Sequence, residues 1–113
     1  MNEDQAIAML GALSQQTRMQ IVRYLVSCAD AGASAGEIGA AVGAVSSRAS
    51  FHLAALEKAG LLSSERVSRQ IIYRANLRQL GALVSYILND CCAGHPDVLS
   101  CCQAAGSSCG DAT

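Results

Sequence analysis

No stretch of this sequence stays apolar for the ~18 residues that a membrane-crossing helix needs, and its first residues lack the basic-then-apolar pattern of a signal peptide. We therefore expect a cytoplasmic protein with no membrane partner. There is no surplus of positive charge: 8 Lys and Arg stand against 9 Asp and Glu, a formal net charge of −1. The totals alone do not advertise nucleic-acid binding. No loop suited to a phosphate-like oxyanion stands beside a cysteine, which leaves a small thiol enzyme only as a remote alternative and argues against an enzyme at all. The close Cys-x-x-Cys type of spacing found in structural zinc sites is also missing. Side-chain volume is scarce too. Half the residues are hydrophobic, but many are alanine and only 4% of the chain is aromatic. A single domain of 113 residues with so thin a core often shares it with a second copy.

What is present centres on residues 34 to 62. Ser34 and Glu37 have the Ser-x-x-Glu spacing of a capping box, which satisfies two free N–H groups at a helix start. Ile38, Ala41 and Val42 follow at helical spacing, and Gly43 can take the positive φ that ends a helix. A second helix starts near Ser46 or Ser47, either of which can cap it, and closes at Gly60. Ala49, Leu53 and Leu56 point inward, so Ser46, Ser47, Arg48, Ser50, Phe51 and His52 are expected outside. An ordinary surface helix carries Glu and Lys there. Hydroxyls, an arginine, an imidazole and a free aromatic suit phosphates and base edges, and two short helices about a glycine turn suit a helix-turn-helix. The alternative is a plain helical hairpin with a weakly polar face.

The flanks favour the first reading. Leu61–Arg66 and Gln70–Ala75 are short and β-prone, as expected of a two-stranded hairpin placed as the wing of a winged helix, with Arg66 and Arg69 near its tip. From Val45 to Ala75 the five cations Arg48, Lys58, Arg66, Arg69 and Arg74 face two acids, a net +3, whereas the segments before and after each carry −2. Upstream, two helices are expected. Residues 4–13 carry a stripe of Ala6, Ile7, Leu10 and Leu13. Gln15 to about Cys28, capped by Ser14, carries Met19, Val22, Leu25 and Val26 with Ile21 alongside. Downstream, Asn76 and Gln79 suggest another capping box opening a helix with Leu77, Leu80, Leu83, Val84, Ile87 and Leu88 along one seam. A seam at the edge of a finished core needs a partner, most simply the same helix of a second subunit. The competing reading folds it back on its own domain. The expected fold is mainly α, a winged helix of about five helices with a two-stranded hairpin between the fourth and fifth. It divides into residues 1–90, for DNA binding and dimerisation, and a cysteine-rich tail of residues 91–113.

In that tail Cys91-Cys92 and Cys101-Cys102 lie across a Gly94-His95-Pro96 turn, with Cys109 beyond. Gathered thiolates favour soft ions such as Zn²⁺, Cu⁺ and trivalent arsenic or antimony. Adjacent cysteines suit a three-sulfur pyramid better than a tetrahedron, which puts As(III) ahead of zinc. A redox pair forming disulfides is the other reading. His95 is either a further ligand or simply exposed, and Cys28 reads as a small, largely buried hydrophobe.

Taken together, Ala12-Leu-Ser-Gln-Gln-Thr-Arg18, Ile21-Val-Arg-Tyr-Leu25, Glu37-Ile38, Ser50-Phe-His-Leu53, Leu56-Glu-Lys-Ala-Gly-Leu-Leu62 and Ile72-Tyr-Arg74 resemble the ArsR/SmtB family of winged-helix metal-sensing repressors. The likeness spans about residues 5 to 90. Cys91-Cys92 after the last helix looks like the arsenic-responsive branch with C-terminal cysteines. The Cys-Val-Cys of the best-known arsenic branch is replaced by Ala33-Ser-Ala-Gly36, and Leu77–Asn89 holds none of the Asp and His ligands of the zinc branch. Relatives place a third cysteine soon after the pair, whereas here Val98 and Leu99 occupy that region and Cys101 and Cys102 follow. The resemblance implies a homodimer on an inverted-repeat operator, released when As(III), or Sb(III), binds among Cys91, Cys92, Cys101 and Cys102. A zinc or redox switch on the same repressor is the alternative.

Overall fold

A computed structural model describes residues 1–91 and 93–100, with nothing said of the Asp90 and Cys91 side chains. Five α-helices appear in the expected order. α1 (Glu3–Leu13) is opened by a capping box between Asn2 and Gln5. α2 (Gln16–Cys28) is capped by Gln15, whose side-chain oxygen accepts the Arg18 N–H, and not by Ser14, which ends α1. A 3₁₀ turn (Ala29–Ala31) leads to β1 (Ala33–Ser34). α3 (Ala35–Val42) and α4 (Ser46–Lys58) form the helix pair. β2 (Leu62–Val67) and β3 (Gln70–Ala75) form the hairpin, and α5 (Leu77–Tyr86) runs into a π-helical turn (Ile87–Cys91).

The sheet has three strands, one more than expected, in the order β1-β3-β2 and antiparallel throughout. Ala33 pairs with Tyr73 and Ser34 with Ile72, so the segment before α3 is tied to the wing. That pairing demands Gly32. Its φ is +65°, and a Cβ there would lie 2.5 Å from the Tyr73 carbonyl oxygen.

The core gathers Met9, Ile21, Leu25, Ile38, Leu53, Leu56 and Leu61, all buried completely or nearly so, with Ala6, Ala12, Val22, Leu62 and Leu83 around them. Two expected stripes are rotated. α1 turns Ala6, Met9 and Ala12 inward and leaves Ile7 and Leu10 exposed, while α2 buries Ile21, Val22 and Leu25 but exposes Met19 and Val26. On α1 the inner face is Met9 between Ala6 and Ala12, and the larger Ile7 and Leu10 fall outside it.

The α5 seam is split as well. Leu83 is buried in the domain's own core, with Leu80 and Ile87 packed against it, while Leu77 and Val84 remain exposed. Asn76 caps α5 by accepting the Gln79 N–H at 3.2 Å. Beyond the π turn Gly94, at φ +64°, donates to the Leu88 carbonyl, and residues 96–100 are helical, starting at the single proline.

Candidate nucleic-acid interface

The helix-turn-helix is built from α3 outward. Ser34 Oγ accepts the Glu37 N–H at 3.3 Å and Glu37 Oε1 accepts the Ser34 N–H at 2.9 Å, the expected capping box. These bonds to Ser34 hold the Glu37 carboxyl below its usual range. Gly43 ends α3 in the left-handed region, at φ +72°. Gly39 sits where a Cβ would lie 2.9 Å from the Ala44 carbonyl oxygen, so the turn closes against a bare backbone.

α4 starts at Ser46, after Val45, with no side-chain cap; neither serine fills that role. Ala49, Leu53 and Leu56 are fully buried, as expected. Ser46, Ser47, Arg48, Ser50 and Phe51 are exposed, Phe51 to 65%. The outward face therefore carries three hydroxyls, a guanidinium free of ion pairs among the described residues, and a bare aromatic ring.

His52 does not belong to that face. It is 7% exposed, and its Nδ1 accepts a hydrogen bond from Arg18 Nε at 3.1 Å. The spacing explains it: position 52 lies three after Ala49 and four before Leu56, on the inner edge of the same turn sequence. Desolvation, then the charges of Arg18 and Arg48, hold the imidazole below its ordinary pKa, so it is neutral and its Nδ1 lone pair is the acceptor.

The hairpin is placed as a wing. Val67 pairs with Gln70 across a two-residue turn, Ser68-Arg69, with Ser68 at φ +58°, as primed hairpin turns require at their first position. Arg66 and Arg69 are both exposed at this end. Arg74 is committed elsewhere: Nη1 meets Glu65 Oε1 at 2.8 Å and Nε donates to the Asp30 carbonyl at 2.7 Å. The wing is thereby braced to the loop after α2, and Arg74 drops out of the free positive charge.

A protein-family model described as a helix-turn-helix domain matches residues 13–65. The HTH-type transcriptional regulator YgaV of Escherichia coli is 33% identical over 89 residues, covering 79% of this chain and 88% of YgaV. Among solved structures, an ArsR-like transcriptional regulator from Rhodococcus superposes with a TM-score of 0.70 at 25% identity, over 90% of this chain and 93% of that one. The homodimeric winged helix-turn-helix domain of Mb0332 from Mycobacterium bovis, a possible ArsR-family regulator, superposes with a TM-score of 0.62 at 27% identity, over 82% of this chain and 86% of that one.

The chain belongs to the ArsR family of winged helix-turn-helix transcriptional regulators.

For an ArsR-family chain the remaining question is what signal it answers. Cys92, Cys101, Cys102 and Cys109, and the side chain of Cys91, lie outside the described residues. His95 is exposed, and its Nδ1 accepts the Asp97 N–H at 3.1 Å at the start of the 96–100 helix. Cys28 is half-buried against the core, near the small-hydrophobe role expected for it, and its thiol beside the Tyr24 phenol raises the pKa of that phenol. Among the described residues no helix is long and apolar enough to cross a membrane. Arg18 joins His52 and Phe51 at the edge of the outward face of α4. Its partner lies 34 residues away, beyond the reach of any periodicity.

Proposed function

We propose that this protein is a homodimeric repressor that binds an inverted-repeat operator in duplex DNA and releases it when trivalent arsenic, or antimony, binds cysteine thiolates of the tail. The observation that carries the DNA-binding half is the outward face of α4. Ser46, Ser47, Arg48, Ser50 and Phe51 stand exposed after an uncapped helix start, beside a wing presenting Arg66 and Arg69. Two such faces related by a two-fold axis fit half-sites one DNA turn apart, about 34 Å.

The exposed Ile7 and Leu10 of α1 with Leu77 and Val84 of α5 supply an apolar face for the second copy, and the similar Mb0332 domain is homodimeric. The sensing half rests on the donor set. Cys91 ends the π-helical turn that follows α5, Cys92 is next in sequence with Cys101 and Cys102 beyond, and three thiolates match the preference of As(III) for sulfur. Ligand binding there would tie the thiolates together at the end of the dimer helix and bias the spacing of the two reading heads. Such couplings are typically about 1–3 kcal/mol, roughly 5- to 150-fold in affinity.

A gel shift tests both halves on an operator recovered by selection from random duplexes. Wild type should bind and be released by arsenite. Cys91→Ser with Cys92→Ser should bind equally well and ignore arsenite. Release of that double variant by arsenite would refute the tail as sensor. Release of wild type by Zn²⁺ or a disulfide-forming oxidant, with none by arsenite, would replace the arsenic reading.

A further inference from the structure

Arg18 has surroundings that the reading face alone does not explain. It stands in the first turn of α2, and its side chain crosses to α4. Nε donates to Nδ1 of buried His52 at 3.1 Å, and Cζ lies 5.7 Å from the centre of the Phe51 ring. Phe51 and His52 meet edge to face at 5.8 Å, so the three groups form one cluster. A guanidinium has five N–H donors, and this one spends only Nε–H. Its two terminal nitrogens have no partner among the described residues, where the ion pairs are Arg74–Glu65 and His95–Asp97. Arg18 and Lys58 also line an open cleft of about 340 Å³ whose other walls are Ala8, Ala12, Ala55 and Ala59, with no acidic group among them.

This arrangement differs from a structural salt bridge. The acceptor holding Nε is a neutral imidazole, so the positive charge is left uncompensated. The stem is fixed and the guanidinium lies by the Phe51 ring, so the rotamer entropy that binding usually costs has already been lost on folding. The ring it adjoins is 65% exposed on the outward face of α4, which puts the guanidinium at the border of that face. A fixed planar fork with free terminal donors matches two oxygens of a phosphate.

We propose that Arg18 is a phosphate-backbone contact of the DNA interface, pinned by His52 and Phe51 so that its terminal nitrogens take a phosphodiester flanking the groove entered by α4, with Lys58 adding charge along the same cleft. This rests on α4 being the reading helix. A phosphate contact contributes affinity and salt dependence without base information.

The test compares full-length wild type with Arg18→Gln on the selected operator and on a random-sequence duplex of equal length, across a salt series. Both affinities should fall together, by roughly tenfold per protomer at low salt. The slope of log affinity against log salt should become shallower by about one per protomer. Arg18→Lys should recover the slope but not the full affinity. Loss on the operator alone with the slope unchanged would show that Arg18 is only a strut for His52 and overturn the proposal, as would unchanged binding to both duplexes. Because glutamine leaves His52 without its donor and can loosen the fold, a second measurement uses wild type alone. An arginine-directed dicarbonyl should label Arg18 in the free protein, and duplex DNA should protect it where inorganic phosphate at the same phosphate concentration does not. Equal labelling with and without DNA would overturn the proposal. Failure of wild type to bind any duplex would remove the reading helix along with it, whereas an Arg18→Gln variant with intact affinity and slope would remove the phosphate contact alone.

Discussion

The two helices of the helix-turn-helix begin in opposite ways. α3 satisfies its own start: Ser34 and Glu37 exchange hydrogen bonds, and the Glu37 carboxylate sits at the positive end of the helix. α4 follows Val45, which has no side chain to cap with, and its first turn holds Ser46, Ser47 and Arg48 with no acid. Every helix start leaves four N–H groups without intrahelical partners. In α3 the capping box supplies partners for two of them, the N–H groups of Ser34 and Glu37. In α4 they face outward on the same end as the hydroxyls and Arg48, open to an anion. The difference separates support from reading. α3 buries Ile38 and brings the Gly39 backbone against the turn, and α4 leaves Ser46, Ser47, Arg48, Ser50 and Phe51 exposed as the reading face proposed above.

That division should show most strongly within α4 itself. Leu53 is fully buried and its neighbour two residues back, Phe51, is exposed. Leu53→Ala should cost about 2–5 kcal/mol of stability in chemical denaturation, independent of DNA. Phe51→Ala should leave the denaturation midpoint within about 0.5 kcal/mol of wild type while weakening operator binding. If Phe51→Ala unfolds the protein as Leu53→Ala does, the two faces of α4 are not separable. A smaller effect should come from closing the open start. Val45→Asp supplies a cap, stabilising α4 by roughly 0.5–1 kcal/mol, and places a carboxylate where a phosphate is expected. Fluorescence anisotropy with operator DNA should show affinity lower by about tenfold, from lost N–H access and charge repulsion combined. Unchanged affinity would mean that the start of α4 stays clear of the backbone.

Element order, the capping box, the glycine stop at Gly43 and the wing could be read in the sequence because each is local chemistry at fixed spacing. What could not be read was tertiary. With Ala49, Leu53 and Leu56 as the inner face, position 52 reads as outward, yet a histidine can be buried when a donor 34 residues away satisfies it, as Arg18 does. β1 is two residues long and carries no period of its own; Ala33 and Ser34 become a strand only because Tyr73 and Ile72 are there to pair. The seam of α5 showed which residues are apolar but not how they would be shared, and Leu83 went to its own core while Val84 did not. The net +3 of the middle third stands, because Arg74 and Glu65 cancel each other, but its positions shift, since Arg74 is held by Glu65 and the Asp30 carbonyl. The cysteines of the tail rest on sequence and chemistry alone.

The smallest effect sharpens the comparison from the α3 side. Ser34→Ala removes one half of the capping box and should cost about 1 kcal/mol, read as a shift in urea midpoint at neutral pH. The sign of its pH dependence follows from Glu37. The Ser34 hydrogen bonds hold that carboxyl below its usual range, so the folded state favours the ionised form more than the unfolded chain does. The stabilisation is then fully present above the ordinary carboxylate range and is lost as pH falls through the depressed folded value. Alanine keeps the backbone N–H that is the first cause of this shift, so the gap between wild type and Ser34→Ala should narrow on acidification only by the share that the Ser34 hydroxyl contributes. Val45→Ala, made at a start with no such partner, should show no gap that depends on pH. A gap for Ser34→Ala that stayed constant down to low pH would mean that the hydroxyl acts only by accepting the Glu37 N–H, and that the backbone N–H of residue 34 alone holds the carboxylate.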